Sequence, residues 1–540
     1  MINPITLYDS LVIIFYLIVV LSIGLFARNK DKNLTDYFLS GKNLGWFVIG
    51  ISIFSTNISS EHFIGLAGSG ASRGLAVGQF ELIAIFFLVI LGWFIAPIYK
   101  KAGIMTTPEY LEKRFDPASR KFFSALSIFT YIITKILVTL FAGGFLFNKL
   151  FGWSIFSSAI IIILITGIYS VVGGLHAVVR TQVFQGIILL LSSILLTFFA
   201  VNEVGGIGAL RAKLPDEYFQ MFKSVGDPDF PWTGIVFGAP IIAFWYWCAD
   251  QYIVQRVLGA KSVNEAQRGT LLTAFLKIFP IFLLVLPGLA SAALFPEIKG
   301  DDAYPALLVS DILPVGIKGL VIAGFLAAIM SSLSASFNSI ASLYTIDFYK
   351  PKHPDASDRA LVFVGRMTTI FIVILVILLM PFVKIINSQI YIFLQSTQAF
   401  ISAPITAVFL IGLTVKKINA KSAFYTLIIG ESFGVSRFII ELLMKSGMVK
   451  NPILISYASI NYLHFTIFLF MGSSLLLFIL SYILSEEMLV DPMRNNLIIQ
   501  KTKGGDRILV SEASNKQIKT NILLSSLLLI VVIGLFSLLN

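Results

Sequence analysis

Residues 46–70 read WFVIGISIFSTNISSEHFIGLAGSG. The stretch opens and closes as an apolar helix, but Ser52, Ser55, Thr56, Asn57, Ser59, Ser60, Glu61 and His62 crowd its middle. Polar groups at bilayer depth cost free energy unless they face protein or a wet cavity, and hydroxyls offer the backbone alternatives to i→i−4 bonding. The stretch predicts a membrane helix interrupted near Ser55 to Ile58, whose freed carbonyls and hydroxyls hold a small cation while Asn57 and His62 face a solute. Interrupted helices are where secondary transporters build their sites. A buried, satisfied polar seam between packed helices is the alternative.

Composition points the same way. Of 540 residues, 57% are hydrophobic and 13% charged, with 48 Phe; soluble domains carry about 25% charged residues. The chain reads as an all-α integral membrane protein. One cysteine, Cys248, rules out an intrachain disulfide and a Cys-based metal cluster, and four scattered histidines argue against zinc. No HExxH, GxSxG, Walker or kinase motif is present, so the chain does not read as an enzyme. Nothing suggests a nucleic-acid partner or an obligatory protein partner.

A helix needs about 20 apolar residues to cross the hydrocarbon. Runs of that kind fall near 8–27, 45–70, 79–99, 122–148, 155–174, 181–202, 233–255, 269–295, 314–346, 363–386, 388–414, 421–444, 457–485 and 520–540, giving about 14 spans. The first is followed, not preceded, by basic residues (Arg28, Lys30, Lys32), so it reads as a retained helix and not a signal peptide. With the N-terminus outside, the connections at 28–43, 99–121, 175–180, 256–268, 347–366, 415–421 and 486–519 hold about 27 of the 40 Lys and Arg, against about 10 outside. That bias puts both termini outside.

The spans show a weak internal symmetry. Five spans in 45–202 precede an external loop at 203–232, and five more in 233–414 would run in the opposite direction. Residues 1–44 then form an extra helix and cytoplasmic loop, and 415–540 form C-terminal helices with a cytoplasmic loop. The first span of each half is unusually polar. In the second half it carries Trp245, Tyr246, Trp247, Asp250, Gln251 and Gln255. Aromatic faces beside amides and carboxylates suit a polyhydroxylated neutral solute, because every hydroxyl stripped of water must be bonded again. The alternative is that Trp and Tyr belong to an interfacial belt.

The segments NISSEHFIGLAGSG (57–70), LGWFIAPIYKKAGIMTTPEYLEKRF (91–115), YSVVGGLHAVVRTQVFQ (169–185), WYWCADQYIVQRVLGAKS (245–262), FLAAIMSSLSASFNSIASLYTIDFYK (325–350) and FLQSTQAFISAPITAVFLIGL (393–413) together resemble the sodium/glucose cotransporters of the solute:sodium symporter family, in order and over almost the whole chain. The resemblance implies a five-plus-five inverted repeat with an interrupted first core helix, sodium as coupling ion, and alternating access around one central site. It matches the sugar site to Asn57, His62, Glu81, Tyr246, Trp247, Lys277 and Gln395. Glu81 and Lys277 are an expensive carboxylate and ammonium within spans, so mutual proximity makes both tolerable. It matches the outer gate to Leu66, Phe80 and Tyr391, and the inner gate to Tyr246. For sodium it implies the carbonyls of Ser55, Ile58 and Ala328 with the hydroxyls of Ser331 and Ser332, hard uncharged ligands suited to an ion that must also leave.

Some positions depart from the pattern. Gln182 stands where many members carry an acid associated with a second sodium, which favours one sodium per sugar, although Ser334 keeps a hydroxyl nearby. Ala243 and Ala84 replace polar sugar contacts, so glucose, galactose and inositol-like solutes stay open. The resulting expectation is a symporter importing a neutral hexose-like sugar across a plasma membrane, bacterial because no long glycosylated external domain is present. An amino acid or carboxylate carrier of the same fold, and a sugar sensor that does not transport, are the other readings.

Overall fold

The computed structural model describes residues 5–26, 33–381, 389–484 and 515–539. Arg28, Lys30 and Lys32, most of the 486–519 connection and the end of the 363–386 span lie outside the described residues. Among the described residues no strand forms, and eleven helices are long and apolar enough to cross a membrane. The protein is a multi-pass, all-helical membrane protein.

Eleven long helices stand against about fourteen expected spans because two of the eleven contain a turn at a boundary the sequence suggested and one further helix carries too many charges to count. Ile155–Val204 holds two helical stretches separated at Gly174, whose φ of 52° and ψ of −158° turn the chain at the edge of the expected connection at 175–180. Gly174 also lies against the Tyr37 carbonyl at 2.6 Å from where a Cβ would stand, so space and conformation both call for glycine. Likewise 62–102 runs on through the tight turn Gly74–Gly78. Ala420–Lys445 is 26 residues long but carries Glu431, Arg437 and Glu441, and so falls outside the apolar set.

Local chemistry sets the helix ends. Asp116, Ser154, Ser262, Ser357, Asn419 and Asn461 each accept from a backbone N–H two or three residues into the following helix. Thr106 and Glu109 form a capping box on either side of Pro108. At the same end of the molecule Arg120 bonds Asp347 (2.7 Å), Glu109 (3.2 Å) and Glu112, while Ser124 and Thr106 donate to the two Asp347 oxygens at 2.5 and 2.8 Å. This network ties the Pro117–Thr130 helix to the end of the nearly fully buried Ile317–Lys352 helix.

The helix that opens the first half breaks at Ile58 and Ser59, at the end of the expected 55–58 stretch. Trp46–Asn57 is regular, Ile58 turns to ψ 112°, Ser59 is non-helical, and the chain resumes through a widened turn at His62–Leu66 into Ala67–Arg73. The second half repeats the device. A widened turn at Trp245–Ala249 leads to Asp250 at ψ 120°, which caps Gln251–Leu258. The two breaks meet: the Tyr252 hydroxyl donates to the Thr56 carbonyl at 2.7 Å. A carbonyl released by one interruption is thus satisfied by the helix that follows the other.

Candidate functional site

Between the two breaks lies a narrow cavity of about 60 Å³, well below the usual size of a small-molecule site. Asn57, His62, Glu81, Tyr246, Trp247, Lys277 and Gln395, all seven expected solute residues, line it. So do Phe80 and Tyr391, the two expected outer-gate aromatics, whereas Leu66 is fully buried one turn beyond His62 and is not part of the wall. Ala243 lines the cavity; Ala84 is buried behind it.

The polar wall is continuous. Asn57 Nδ2 donates to the Tyr246 hydroxyl at 3.0 Å, while Asn57 Oδ1 accepts from Lys277 Nζ at 2.7 Å. Lys277 also donates to Glu81 in a direct ion pair, and its Nζ stands 5.5 Å from the Trp247 ring centre. His62 Nε2 lies 3.7 Å from Glu81 Oε1. Because the Ser59 N–H donates to His62 Nδ1 at 3.4 Å, the imidazole proton is assigned to Nε2, on the Glu81 side. On the opposite wall Gln395 Nε2 donates to the Tyr391 hydroxyl at 2.8 Å, and the Tyr391 ring meets His62 and Phe80 edge to face at 5.9 and 6.1 Å. The wall offers amide, ammonium and carboxylate groups beside aromatic faces.

Sequence reasoning left three polar wall residues unassigned. Glu61 accepts from Ser59 Oγ at 2.5 Å and Thr139 Oγ1 at 3.2 Å. Gln398 stands one turn after Gln395. Lys135 falls within the 122–148 run, and its Nζ sits 4.0 Å from the centre of the Tyr246 ring and 4.6 Å from that of Tyr252. Glu61 and Glu81 against Lys135 and Lys277 leave the cavity with no net formal charge. A charged solute would therefore meet no unmatched counter-charge.

The expected sodium residues also come together. Ser331 Oγ donates to the Ser55 carbonyl at 2.7 Å and to the Ala328 carbonyl at 3.0 Å, and Ser332 Oγ shares a 2.5 Å bond with Tyr252. Ile58 is fully buried at the break itself. Ser55 Oγ and Thr56 Oγ1 are buried with no hydrogen-bond partner, whereas the expected oxygens of Ser55, Ala328, Ser331 and Ser332 are bonded to protein groups. Gln182 sits beside them, accepting from Ser52 Oγ at 2.5 Å and donating to the Ser331 carbonyl at 2.9 Å. A neutral amide thus fastens the broken helix to the Ile317–Leu343 helix.

Comparison with known proteins agrees with this geometry. The family profile described as the sodium:solute symporter family matches residues 37–430. Sodium/glucose cotransporter 1 of Ovis aries is 37% identical over 508 residues, covering 86% of this chain and 76% of the relative. Sodium/glucose cotransporter 2 of Rattus norvegicus is 36% identical over 518 residues, covering 87% and 77%. Among solved structures, a substrate-bound, outward-open sodium-coupled sialic acid symporter superposes with a TM-score of 0.76 at 24% identity, over 89% of this chain and 98% of that one, and so shares the fold. Two broken helices around a charge-balanced cavity, with a family profile spanning both, place this chain in the sodium:solute symporter family.

Proposed function

We propose that this chain is a sodium-coupled symporter that imports a neutral, hexose-like sugar by alternating access. The observation that carries the solute class is the cavity wall, where two carboxylates and two ammoniums cancel and the other polar groups are amides, an imidazole and tyrosine hydroxyls beside aromatic and aliphatic faces. Asn57, His62, Glu81, Lys277 and Gln395 bond the sugar hydroxyls, and Trp247 and Tyr246 cover ring faces. Phe80 and Tyr391, backed by Leu66, close the outer side; Tyr246 closes the inner side. The relatives named above are sodium/glucose cotransporters, which supports this reading.

Sodium enters as cotransported substrate. Carbonyls of Ser55, Ile58 and Ala328 with hydroxyls of Ser331 and Ser332 bind it, joining the broken helix to Ile317–Leu343 and favouring the outward-open arrangement. Sugar then closes the outer gate, and loss of sodium inside frees the sugar. Coupling requires that both ligands prefer the same state, each raising the other's affinity. In this reading about 14 crossings include repeats at 45–202 and 233–414, both termini lie outside, the membrane is a bacterial plasma membrane, one sodium accompanies each sugar, and no protein partner is needed.

Uptake of labelled glucose, galactose and myo-inositol into proteoliposomes, with inward sodium or potassium gradients at clamped voltage, tests the proposal. Sodium-dependent accumulation of one of them, abolished by Gln395→Ala, is expected. Accumulation of none, by protein whose sodium-sensitive binding shows it folded, would redirect the assignment to another solute or to a sensor.

A further inference from the structure

Asp301 lies in the loop between Leu286–Leu294 and Ile317–Leu343, outside the membrane-spanning helices and outside the cavity wall. It is 7% exposed. Its Oδ2 accepts from the backbone N–H of Gln389 at 2.8 Å and of Ile390 at 2.9 Å, the first groups of the Ile390–Thr414 helix. Gln389 holds a φ of 75°, a conformation that a non-glycine residue adopts only when its surroundings hold it there. The next residue is Tyr391. On its other side Asp301 presses on the outer half of the broken helix: a Cβ built on Gly68 would stand 2.8 Å from both Asp301 Oδ1 and its backbone nitrogen. One helical turn earlier, a Cβ on Gly65 would meet Tyr391 Cβ at 2.7 Å. Two glycines one turn apart let the loop carboxyl and the Tyr391 helix both close onto the same half-helix.

We infer that Asp301 is a positioning residue for the outer gate: its carboxyl fastens the loop and the outer half of the broken helix to the first turn of the helix that carries Tyr391 and Gln395, and opening breaks that fastening. The inference rests on the gate reading given under the proposed function. It assigns Asp301 no contact with solute.

The fastening is sensitive to pH. Burial pushes the Asp301 carboxyl up to about 6, against the two backbone N–H bonds that lower it, and neighbouring Asp302 adds to the rise. Charged groups around it are already engaged: Asp302 pairs with Lys149 at 2.8 Å, and Arg73, at the end of the outer half-helix, pairs with Asp229 at 2.6 Å. Glu297 and Lys299 lie on the same loop, and the described part of the Tyr391 helix contributes Tyr391 itself as its titratable group. A hydrated aspartate titrates near 3.9. The closed arrangement therefore binds the proton more tightly than an opened, hydrated one, and by linkage acidification of the outer medium through about 6 favours closure. Closure lowers the fraction competent to accept solute and weakens apparent affinity in proportion.

Two measurements test this. With lumenal pH fixed, the wild-type apparent KM for solute should rise about tenfold as outer pH falls from about 8 to about 5. Asp301→Asn, neutral at every pH, should hold a KM near the wild-type acid value throughout. Hydrogen exchange at the amides of Gln389 and Ile390, read at one pH, should accelerate at least about tenfold in Asp301→Ala. A pH-independent wild-type KM, an Asp301→Asn variant that keeps the wild-type profile, or unchanged exchange in Asp301→Ala would each overturn the inference. The exchange measurement needs no solute, so it still decides the fastening if no tested sugar is carried, in which case the substrate assignment has failed on its own.

Discussion

At the scale of single residues, the most exacting feature is the Glu81 and Lys277 pair. Both side chains are essentially buried, and Asn57 completes the bonding of the ammonium. Removing one partner of a buried pair leaves an uncompensated charge and costs about 3–5 kcal/mol, whereas replacing both is far less damaging. Lys277→Met should therefore lower thermal stability by that order, and the Glu81→Gln, Lys277→Met double variant should recover most of it while leaving sodium-driven uptake lost. Thermal unfolding and uptake on the same preparations separate the two effects; stability losses that simply add would show that the pair is not coupled. The pair was legible in the sequence because a carboxylate and an ammonium inside spans need each other. Lys135 gave the same signal but no partner, since it is held over the ring faces of Tyr246 and Tyr252 from another element, and ring faces leave no spacing to read. Glu61 was visible within the polar run, but its bond to Thr139 spans 78 residues of sequence.

At the scale of elements, the hydroxyl-rich composition of 52–60 announced the break because the physics is local: side chains compete with the backbone where they stand. Its junction with Tyr252, and the approach of the Tyr391 helix to Gly65, are tertiary facts that composition does not carry. The boundary between the 155–174 and 181–202 spans is placed by Gly174, whose φ of 52° and ψ of −158° break the helix at the edge of the expected connection. Gly65 supplies the sharper test of how tightly the elements meet. A side chain there would strike the backbone and Cβ of Tyr391 at 2.7–3.1 Å, atoms that cannot rotate away. Gly65→Val should cost about 1–3 kcal/mol in stability by overpacking, and should raise the solute KM more than it changes maximal uptake, because it displaces the gate and leaves the sodium residues intact. A KM unchanged beside a lowered melting temperature would mean that the contact is structural only.

At the scale of the whole molecule, the question is how much work one transport cycle performs. Gln182 is the residue of this chain that bears on it. Bonded to Ser52 and Ser331, and one hydroxyl away from Ser334, whose Oγ donates to the same Ser331 carbonyl at 3.0 Å, it occupies a place where a carboxylate would supply charge for a second cation. An amide supplies dipole but no charge, and its oxygen is already bonded to Ser52. The reading of one sodium per sugar then sets a thermodynamic ceiling. Each tenfold gradient is worth about 1.4 kcal/mol, so at zero voltage a tenfold inward sodium gradient can concentrate a neutral sugar about tenfold through one ion and about a hundredfold through two. Proteoliposomes clamped at zero voltage, with internal sugar preset until net flux vanishes, should balance near tenfold. Balance near a hundredfold would assign a second ion despite Gln182. Gln182→Asp, which returns a carboxylate between Ser52 and the Ser331 carbonyl, should then steepen the sodium dependence of uptake. If that variant leaves it unchanged, Gln182 fastens the two helices and has no part in setting the stoichiometry.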